Sequence, residues 1–327
     1  MDSESDRQRR PFGPPEALVT TPAVSVVITA YNRERYIAQS IESVLAQTLA
    51  DFELIIVDDC STDRTVDVAT RYQSDPRIRI VRNERNLGDY PNRNHAATLA
   101  RAEFLKYHDS DDVMYSDCLA IMTAGLRCAP SAAFALTAPH MWAGGPCPML
   151  LTPQLAYERA FLGQGLFHLG PACALFRRRA FLELGKFPEA GVHSDALFWI
   201  RACCTVDIVL VRADLFWYRV HTDQELARPG IEDAALDIEA AQWRALFDRG
   251  CPLPPEAREQ ARRNHAYGIF SRAVRDARGG RIGFALRRLE RSGLSPRQWL
   301  TYLRRPVRNP SAGTPPTPLT LGVEQTA

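Results

Sequence analysis

Acidic side chains follow two apolar segments of this 327-residue chain, and their type and spacing suit the binding of a cation. Asp58 and Asp59 come directly after the segment 52–57, and the run 109–112 (Asp-Ser-Asp-Asp) follows the segment 103–107. Carboxylates this close together repel one another unless a divalent cation lies between them. Mg²⁺ is commonly held by one or two carboxylates together with the phosphates of a substrate. The run 109–112 is therefore predicted to bind Mg²⁺ or Mn²⁺ and a phosphorylated ligand; the alternative is an acidic turn that caps the next helix.

Alternating strand and helix patterns over residues 24–107 indicate how the carboxylates are brought together. Short runs of apolar, often β-branched residues predict buried strands, and apolar residues at helical spacing predict the helices between them. The predicted strands are 24–30, 52–57, 78–81 and 103–107, and the predicted helices are 36–48, a helix through 66–69, and 92–102. Such alternation is typical of an α/β fold with parallel strands joined by helical crossovers. Ligands of these sheets bind beyond the carboxyl ends of the strands, where the acidic residues are expected.

The common glycine-rich phosphate loops are absent from the sequence. No G-x-G-x-x-G follows the first predicted strand, and no G-x-x-x-x-G-K-[ST] occurs anywhere in the chain. The usual dinucleotide cradle and the P-loop are thereby excluded. The charge of a phosphate ligand must then be neutralised in another way, which favours the cation site.

The remainder of the chain is predicted to be less regular. Residues 1–22 are predicted to form a flexible leader, 23–225 a nucleotide-binding α/β domain, 226–308 an Arg-rich helical extension and 309–327 a disordered tail rich in Pro, Thr, Ser and Gly. Beyond residue 112, the predicted helices are 116–127, 178–184, 195–204, 231–250 and 255–305, the predicted strands are 133–137, 172–176 and 206–211, and 139–153 is predicted to be a loop.

Composition and charge exclude several classes of protein. The chain is 46% hydrophobic and 24% charged, as globular proteins are, and its net charge of +2 provides no field for nucleic acid. The sequence shows neither an apolar signal-peptide core nor a stretch of about 18 apolar residues that could span a bilayer. Eight cysteines without any C-x-x-C pair are interpreted as reduced core residues, so a cytoplasmic protein is expected.

Arginine is concentrated toward the C-terminal end of the chain. Residues 255–309 contain 14 Arg and four acidic residues. Helices of this composition fit either a peripheral contact with anionic lipid at the inner face of a membrane or a solvated surface with packed arginine stems. The sequence leaves both interpretations open.

Five segments resemble glycosyltransferase family 2, and they occur in the order that the family shows. They are 24–32 (VSVVITAYN), 41–48 (IESVLAQT), 52–63 (FELIIVDDCSTD), 94–102 together with 105–112 (LKYHDSDD), and 175–189 (LFRRRAFLELGKFPE). The resemblance extends over about residues 22–222. It implies a GT-A fold, a D-x-D motif and the transfer of a sugar from a nucleotide-diphosphate donor with inversion at the anomeric carbon.

The same resemblance implies roles for individual residues. It assigns nucleotide-sugar binding to Thr29, Tyr31, Asn32, Asp59, Arg93 and Asp109. Tyr31 would lie beside the base, Asp59 would accept a hydrogen bond from it, and Asp109 would lie near the ribose. Arg93 would approach the pyrophosphate. The metal would be bound by Asp111 and Asp109 of the D-x-D motif and by His221, because the segment 216–221 (FWYRVH) resembles the family's Y-R-x-H element.

The catalytic base is expected at Asp195. Inverting transfer requires a carboxylate that takes the proton of the acceptor hydroxyl as that oxygen attacks the sugar. The segment 193–201 (HSDALFWIR) resembles the helix on which the family carries its base, with Trp199 and Arg201 at matching positions. Ser194 departs from the pattern, because an acidic residue usually precedes the base.

The expected function is metal-assisted, inverting sugar transfer, and the sequence leaves two alternatives. The acceptor would be a glycan, a lipid-linked glycan or a small molecule, in glycan, cell-envelope or polysaccharide biosynthesis. One alternative is a catalytically silent relative that binds a nucleotide sugar, suggested by the departure at Ser194. The other is a metal-dependent nucleotidyltransferase, although residues 30–33 poorly match the glycine-rich loop that such an enzyme needs.

Overall fold

Four parallel strands form one half of the central sheet in the computed structural model, which describes residues 21–137, 147–163, 165–222, 224, 231–302 and 317–318. These strands are β1 (Val24–Ala30), β2 (Phe52–Asp58), β3 (Ile78–Arg82) and β4 (Phe104–Asp109). They lie in the order β3, β2, β1, β4. Both faces of β1 and β2 are buried along their whole length, as their continuous apolar sequences require.

The register of these strands aligns their carboxyl ends. Thr29 lies opposite Asp109 in the β1–β4 pair, and Ala30 lies opposite Asp58 in the β1–β2 pair. The polar residues that follow the three strands therefore meet at one edge of the sheet, where α/β folds bind their ligands.

The second half of the sheet is mixed. Its strands, together with a separate two-stranded ribbon, are β5 (Val113–Met114), β6 (Ala132–Thr137), β7 (Met149–Leu151), β8 (Ala174–Arg177), β9 (Asp207–Val211), β10 (Phe216–Trp217) and β11 (Thr317–Pro318). Strand β8 runs antiparallel to both β4 and β6, and β9 runs parallel to β6. Strands β7 and β11 complete the edge. The β5–β10 ribbon holds the segment after residue 215 beside the end of β4.

Helices cover both faces of the sheet. They are α1 (Ile37–Leu45), α2 (Thr65–Thr70), α3 (Asp89–Leu99), α4 (Cys118–Cys128), α5 (Pro153–Phe161), α6 (Arg178–Glu183), α7 (Ser194–Ala202), α8 (Ile231–Ala245), α9 (Pro255–Arg278), α10 (Ile282–Arg291) and α11 (Pro296–Tyr302). Helices α1, α2 and α4 contribute to the apolar core on one face, and α3, α5, α6 and α7 contribute to the core on the other.

The C-terminal helices are continuous with the second of these cores. Leu246, Leu253 and Ala261 belong to the same buried cluster as Phe176 and Trp199. Between the helices themselves, Arg288 is buried and pairs with Asp276, at 3.0 Å, and with Glu239. A buried cation of this kind requires its acidic partners, so α8, α9 and α10 pack in one fixed arrangement.

The predicted α/β class with a helical C-terminal region is confirmed, and some boundaries differ. Helix α3 begins at Asp89 rather than residue 92, because Pro91 falls in the first turn, where its missing N–H has no helical partner to lose. Strand β7 lies in the segment 139–153 that was predicted to be a loop, and α5, directly after it, was not predicted.

Parts of the predicted leader, loop and tail lie outside the described residues, namely 1–20, 138–146, 303–316 and 319–327. The pair Thr317–Pro318 of the predicted tail forms β11 against β7. Within the described ranges, every helix is too short or too polar to cross a bilayer.

Candidate active site

A cleft of about 540 Å³ opens at the carboxyl ends of β1, β2 and β4. Its walls include seven of the residues selected from the sequence: Thr29, Tyr31, Asp59, Arg93, Asp109, Asp111 and Asp195. Asn32 and His221 do not line this cleft. The fold therefore gathers most of the predicted site from five separate parts of the chain.

The carboxylate of Asp111 is held by two nitrogen-bearing side chains, those of Arg33 and His221. Its Oδ2 atom accepts a hydrogen bond from Nε of Arg33 at 3.1 Å and lies 2.9 Å from Nε2 of His221. The His221 ring also packs against the Tyr36 ring, with centroids 4.6 Å apart. His221 thus lies next to Asp111, close enough to serve as a second ligand of the same cation.

Asp109 and Asp89 share a buried arginine. Arg93 donates from Nη2 to Asp109 at 2.7 Å and from Nε to Asp89 at 2.8 Å. Burial opposes ionisation of Asp109, but the Arg93 guanidinium outweighs it and lowers the pKa of that carboxyl. Likewise, the two carboxylates overcome the burial of Arg93 and hold its pKa well above the ordinary value. Arg93 and Asp109 are therefore both charged at neutral pH.

Asp59 is bound by the loop that leads into α3. Its carboxylate accepts hydrogen bonds from the side chain of Asn83 and from the amides of Leu87 and Gly88, at 2.8, 2.8 and 2.9 Å. Gly88 has φ +88°, a conformation that favours glycine and lets the chain turn into α3. A carboxylate has about four acceptor positions, so Asp59 retains capacity for one further donor.

The end of β1 is stabilised by Asn32. This residue has φ +53°, which Asn tolerates better than most residues, and its side-chain oxygen accepts from the Thr62 amide at 2.8 Å. The backbone N–H of Asn32 donates to the Ser61 hydroxyl at 2.9 Å. The structure thus gives Asn32 a role in joining the loops after β1 and β2. Tyr31, beside it, is 37% exposed and faces the cleft.

Asp195 lies in the first turn of α7, on the wall of the cleft. Burial raises the pKa of its carboxyl to about 6, although the Ala196 amide, the Tyr90 hydroxyl and the Arg93 charge act in the opposite direction. Ser194 shapes the turn before the helix, because its hydroxyl donates to the Gly191 carbonyl at 2.6 Å and accepts from the Ala190 amide. A carboxyl with a raised pKa, held at the start of a helix, can take up a proton near neutral pH.

Three side chains hold the segments on either side of Asp195. Asn94 makes two hydrogen bonds to the backbone of Phe187, at 2.9 and 3.1 Å. The Trp199 indole donates to the Leu169 carbonyl at 2.6 Å, and Arg201 donates to the Lys186 carbonyl at 2.7 Å. The Trp and Arg that follow the expected base therefore position the backbone around it.

Asp112 supports the segment after β10 and does not line the cleft. Its Oδ1 accepts from the Arg219 amide at 2.9 Å, and the Arg219 side chain returns to the Asp111 carbonyl at 2.6 Å. Burial, together with the nearby charge of Asp109, raises the pKa of Asp112 to about 8. These contacts fix His221, two residues beyond Arg219, beside Asp111.

A divalent cation fits this site with two protein ligands. Among the described residues, no group of three or more His, Cys, Asp or Glu side chains could hold a metal ion. Asp111 and His221 place a carboxylate oxygen and an imidazole nitrogen 2.9 Å apart, whereas Asp109 is engaged by Arg93. Mg²⁺ typically uses few protein ligands and completes its shell with phosphates and water. The donor set therefore suits a cation that is bound together with a phosphorylated ligand.

Several residues of the cleft were not predicted as site residues, and Arg33, Asp89 and Tyr90 among them contact the predicted ones. Asp89 and Tyr90 open α3, and they were missed because that helix was predicted to begin later. Arg33 belongs to the segment 30–33, which was judged only as a poor glycine-rich loop. A polar residue directly after a buried parallel strand was the signal that could have identified it.

Comparisons with known proteins agree with this geometry. Residues 25–185 match the model of the family described as glycosyl transferase family 2. The putative teichuronic acid biosynthesis glycosyltransferase TuaG of Bacillus subtilis (strain 168) is 42% identical over 99 residues, which are 30% of this chain and 39% of that protein. The poly(ribitol-phosphate) beta-N-acetylglucosaminyltransferase TarS of Staphylococcus aureus (strain Mu50 / ATCC 700699) is 32% identical over 137 residues, covering 36% of this chain and 24% of that protein. The matches thus span two-fifths or less of these relatives.

Solved structures share the fold at lower identity. S. aureus TarS 1-349 in complex with UDP-GlcNAc has a TM-score of 0.60 and 22% identity, over 76% of this chain and 72% of that chain. The mannosyltransferase PcManGT from Pyrobaculum calidifontis, in complex with GDP-Man and Mn2+, has a TM-score of 0.57 and 17% identity, over 86% and 79%. The fold is of the GT-A class, an α/β sheet with the cleft at the carboxyl ends of its parallel strands. Residues 25–185 form a glycosyltransferase family 2 domain.

Proposed function

We propose that this protein transfers a sugar from a nucleotide-diphosphate donor to an acceptor hydroxyl with inversion, assisted by Mg²⁺ or Mn²⁺. The observation that carries the proposal is that one cleft contains both Asp111, backed by His221, and the raised-pKa carboxyl of Asp195. The first pair suits a cation and a diphosphate, and the second group suits a general base. The proposed metal-assisted transfer requires both the cation site and the general base.

The residues divide the chemistry as follows. Asp111 and His221 would hold the cation, which supplies stabilisation of the charge that develops on the leaving diphosphate. Asp195 takes the proton from the acceptor hydroxyl while that oxygen bonds to the anomeric carbon and the bond to the diphosphate oxygen breaks. Its pKa of about 6 leaves the carboxylate ionised at neutral pH and still basic enough to accept the proton. Arg93 balances the charge of Asp89 and Asp109 on the same wall.

Donor recognition is proposed for the side of the cleft formed by β1, β2 and the start of α3. Thr29, Tyr31 and Asp59 line that side, and Asp59 has acceptor capacity for a base N–H. Asn32 would act through the shape of the loop that it joins to residues 61–62. The relatives named for teichuronic acid and poly(ribitol phosphate) support a cell-envelope glycan as acceptor.

Replacing Asp195 by Asn tests the assignment of the base. Asn keeps the size of the side chain but cannot take up a proton, so transfer should fall about 10²–10⁴-fold while donor affinity is kept. Glu189→Gln, a similar change at an exposed residue six positions earlier, is the matched control and should retain activity. Unchanged turnover in Asp195→Asn would remove this residue as the base.

A panel of nucleotide sugars tests the donor and the metal together. Thermal unfolding should shift upward with one donor only when Mn²⁺ or Mg²⁺ is present, because a ligand that binds the folded state stabilises it. Asp111→Asn should remove the metal dependence, and Asp51→Asn, at an exposed position away from the cleft, should preserve it. The absence of any shift with every donor and both ions would refute the proposal.

Two other functions make different predictions in the same assays. A silent nucleotide-sugar-binding relative would show the donor shift but neither transfer nor donor hydrolysis. The departure at Ser194 gives this alternative little support, since Ser194 has a structural role in the turn before α7. A nucleotidyltransferase would release pyrophosphate from a nucleoside triphosphate and a sugar phosphate.

A further inference from the structure

The turn between α9 and α10 is an exposed, projecting feature of the C-terminal helices. All seven residues from 277 to 283 are exposed. A Cβ atom added at Gly280 or Gly283 would meet no other atom within 4 Å. Gly280 has φ +81°, which allows the chain to reverse direction sharply. The turn and the first half of α10, residues 277–287, are called the α9–α10 tip below.

Two aliphatic side chains of the tip face outward. Ile282 and Leu286 are each 61% exposed, and their spacing of four residues places them side by side on one face of α10. The opposite face of the helix carries the buried Phe284, Ala285 and Arg288. A single exposed aliphatic residue is ordinary, but two neighbouring ones at the end of a helical hairpin form a small exposed apolar patch.

Five exposed arginines lie within or next to the tip, and two of them have no acidic partner in the described part of the chain. Arg281, Arg287 and Arg291 are balanced by acidic residues of α8, namely Glu232, Asp233 and Asp237. Arg275 and Arg278, exposed in the last turn of α9, form no ion pair within the described part of the chain. These two arginines therefore place uncompensated positive charge at the base of the tip.

We propose that the α9–α10 tip binds an anionic lipid surface. Exposed aliphatic side chains rimmed by arginine suit the boundary between headgroups and acyl chains, where apolar burial and attraction to anionic lipid act together. Protein interfaces are usually centred on aromatic anchors in a well-packed patch. The tip instead presents two flexible aliphatic chains on a narrow turn, which fits a fluid layer better than a rigid surface.

Vesicle co-sedimentation tests the proposal with the full chain. The protein should bind vesicles of phosphatidylcholine and phosphatidylglycerol in a 7:3 ratio but not pure phosphatidylcholine, and added salt should weaken the binding. Ile282→Ser with Leu286→Ser, and separately Arg275→Glu with Arg278→Glu, should each reduce binding at least tenfold. The matched control is Arg71→Glu with Arg127→Glu, the same charge change at exposed residues outside the tip, which should bind nearly as the wild type does.

A variant that should bind vesicles more tightly controls for the case in which the other variants lose binding only because they misfold. Ile282→Trp should bind the anionic vesicles more tightly, and brominated lipid should quench its fluorescence more than that of the wild type, because Trp prefers the interface. Equal binding by the wild type and both tip variants would overturn the proposal, as would binding that is lost only on substitution of Arg304, Arg305 and Arg308. Self-association that depends on Ile282 and Leu286, without vesicle binding, would instead make a second copy of the chain the occupant.

Discussion

Under the proposed function, the carboxyl group of Asp195 links catalysis to pH. Its pKa is raised to about 6, chiefly by burial, so the basic form disappears as the pH falls through this value. The rate of sugar transfer should therefore drop about tenfold for each pH unit below about 6. The measurement is a profile of kcat/KM between pH 5 and 8, with donor affinity determined at the same values. A flat profile over this range would be incompatible with Asp195 as the base.

The same burial makes Asp195 destabilising at neutral pH. Its pKa is higher in the folded protein than the ordinary value of 3.8, so the folded state holds the proton more tightly, and stability falls as the pH rises from about 4 to about 6. Asp195→Asn should therefore raise the free energy of unfolding by up to roughly 3 kcal/mol at pH 8, and by about half as much at pH 5. Urea denaturation at both values measures the difference. A gain that does not depend on pH would contradict this account.

At the scale of elements, one amide joins α3 to the segment that leads into α7. Asn94 donates to and accepts from the Phe187 backbone, and both of its hydrogen bonds are buried. Asn94→Ala should cost about 1–3 kcal/mol, because it leaves the Phe187 amide and carbonyl without partners. It should also lower transfer, since these bonds hold Phe187 at the start of the segment that leads into α7 and Asp195. Thr98→Ala, on the exposed side of the same helix, is the control and should change stability by less than about 0.5 kcal/mol.

The sequence predicted elements well where burial on both faces produced an unbroken apolar run. The predicted bounds of β1 agree with the structure, and those of β2 differ by one residue. Strand β7 and helix α5 were missed because Pro and Gly dominate the segment before them and tertiary contacts decide its structure. Strand β7 gains its order by pairing with β9, nearly 60 residues later in the chain.

Much of the candidate site could be predicted from the ends of the strands, whereas the ion-pair partners of its carboxylates could not. Asp59, Asp109 and Asp111 follow buried strands, so their gathering at one sheet edge was predictable. Arg33 pairs with Asp111, and Arg93 pairs with Asp109. These pairings depend on the directions of side chains within loops and first helical turns. The bonds of Asp59 to Leu87 and Gly88 join residues 28 and 29 positions apart, which no local pattern encodes.

At the scale of the whole molecule, the C-terminal helices share a core with the catalytic fold. Leu246, Leu253 and Ala261 are buried with Trp199 of α7, and α8 packs against α7. A chain that ends at residue 225 should therefore lose cooperative unfolding and donor binding, because it would expose this apolar surface. A chain that ends at Tyr302 is the control and should retain both. Thermal denaturation with and without donor distinguishes them, and a truncated chain that unfolds cooperatively would show that the helices are dispensable.

The bonds that Asp59 makes to residues 83, 87 and 88 have a consequence for ligand capture. All three are made to other groups of the same chain, so under the proposed function this wall of the cleft is shaped by the protein itself and the donor does not have to order it. The heat-capacity change on association should then reflect the surface that the nucleotide covers, with no contribution from folding of the loop.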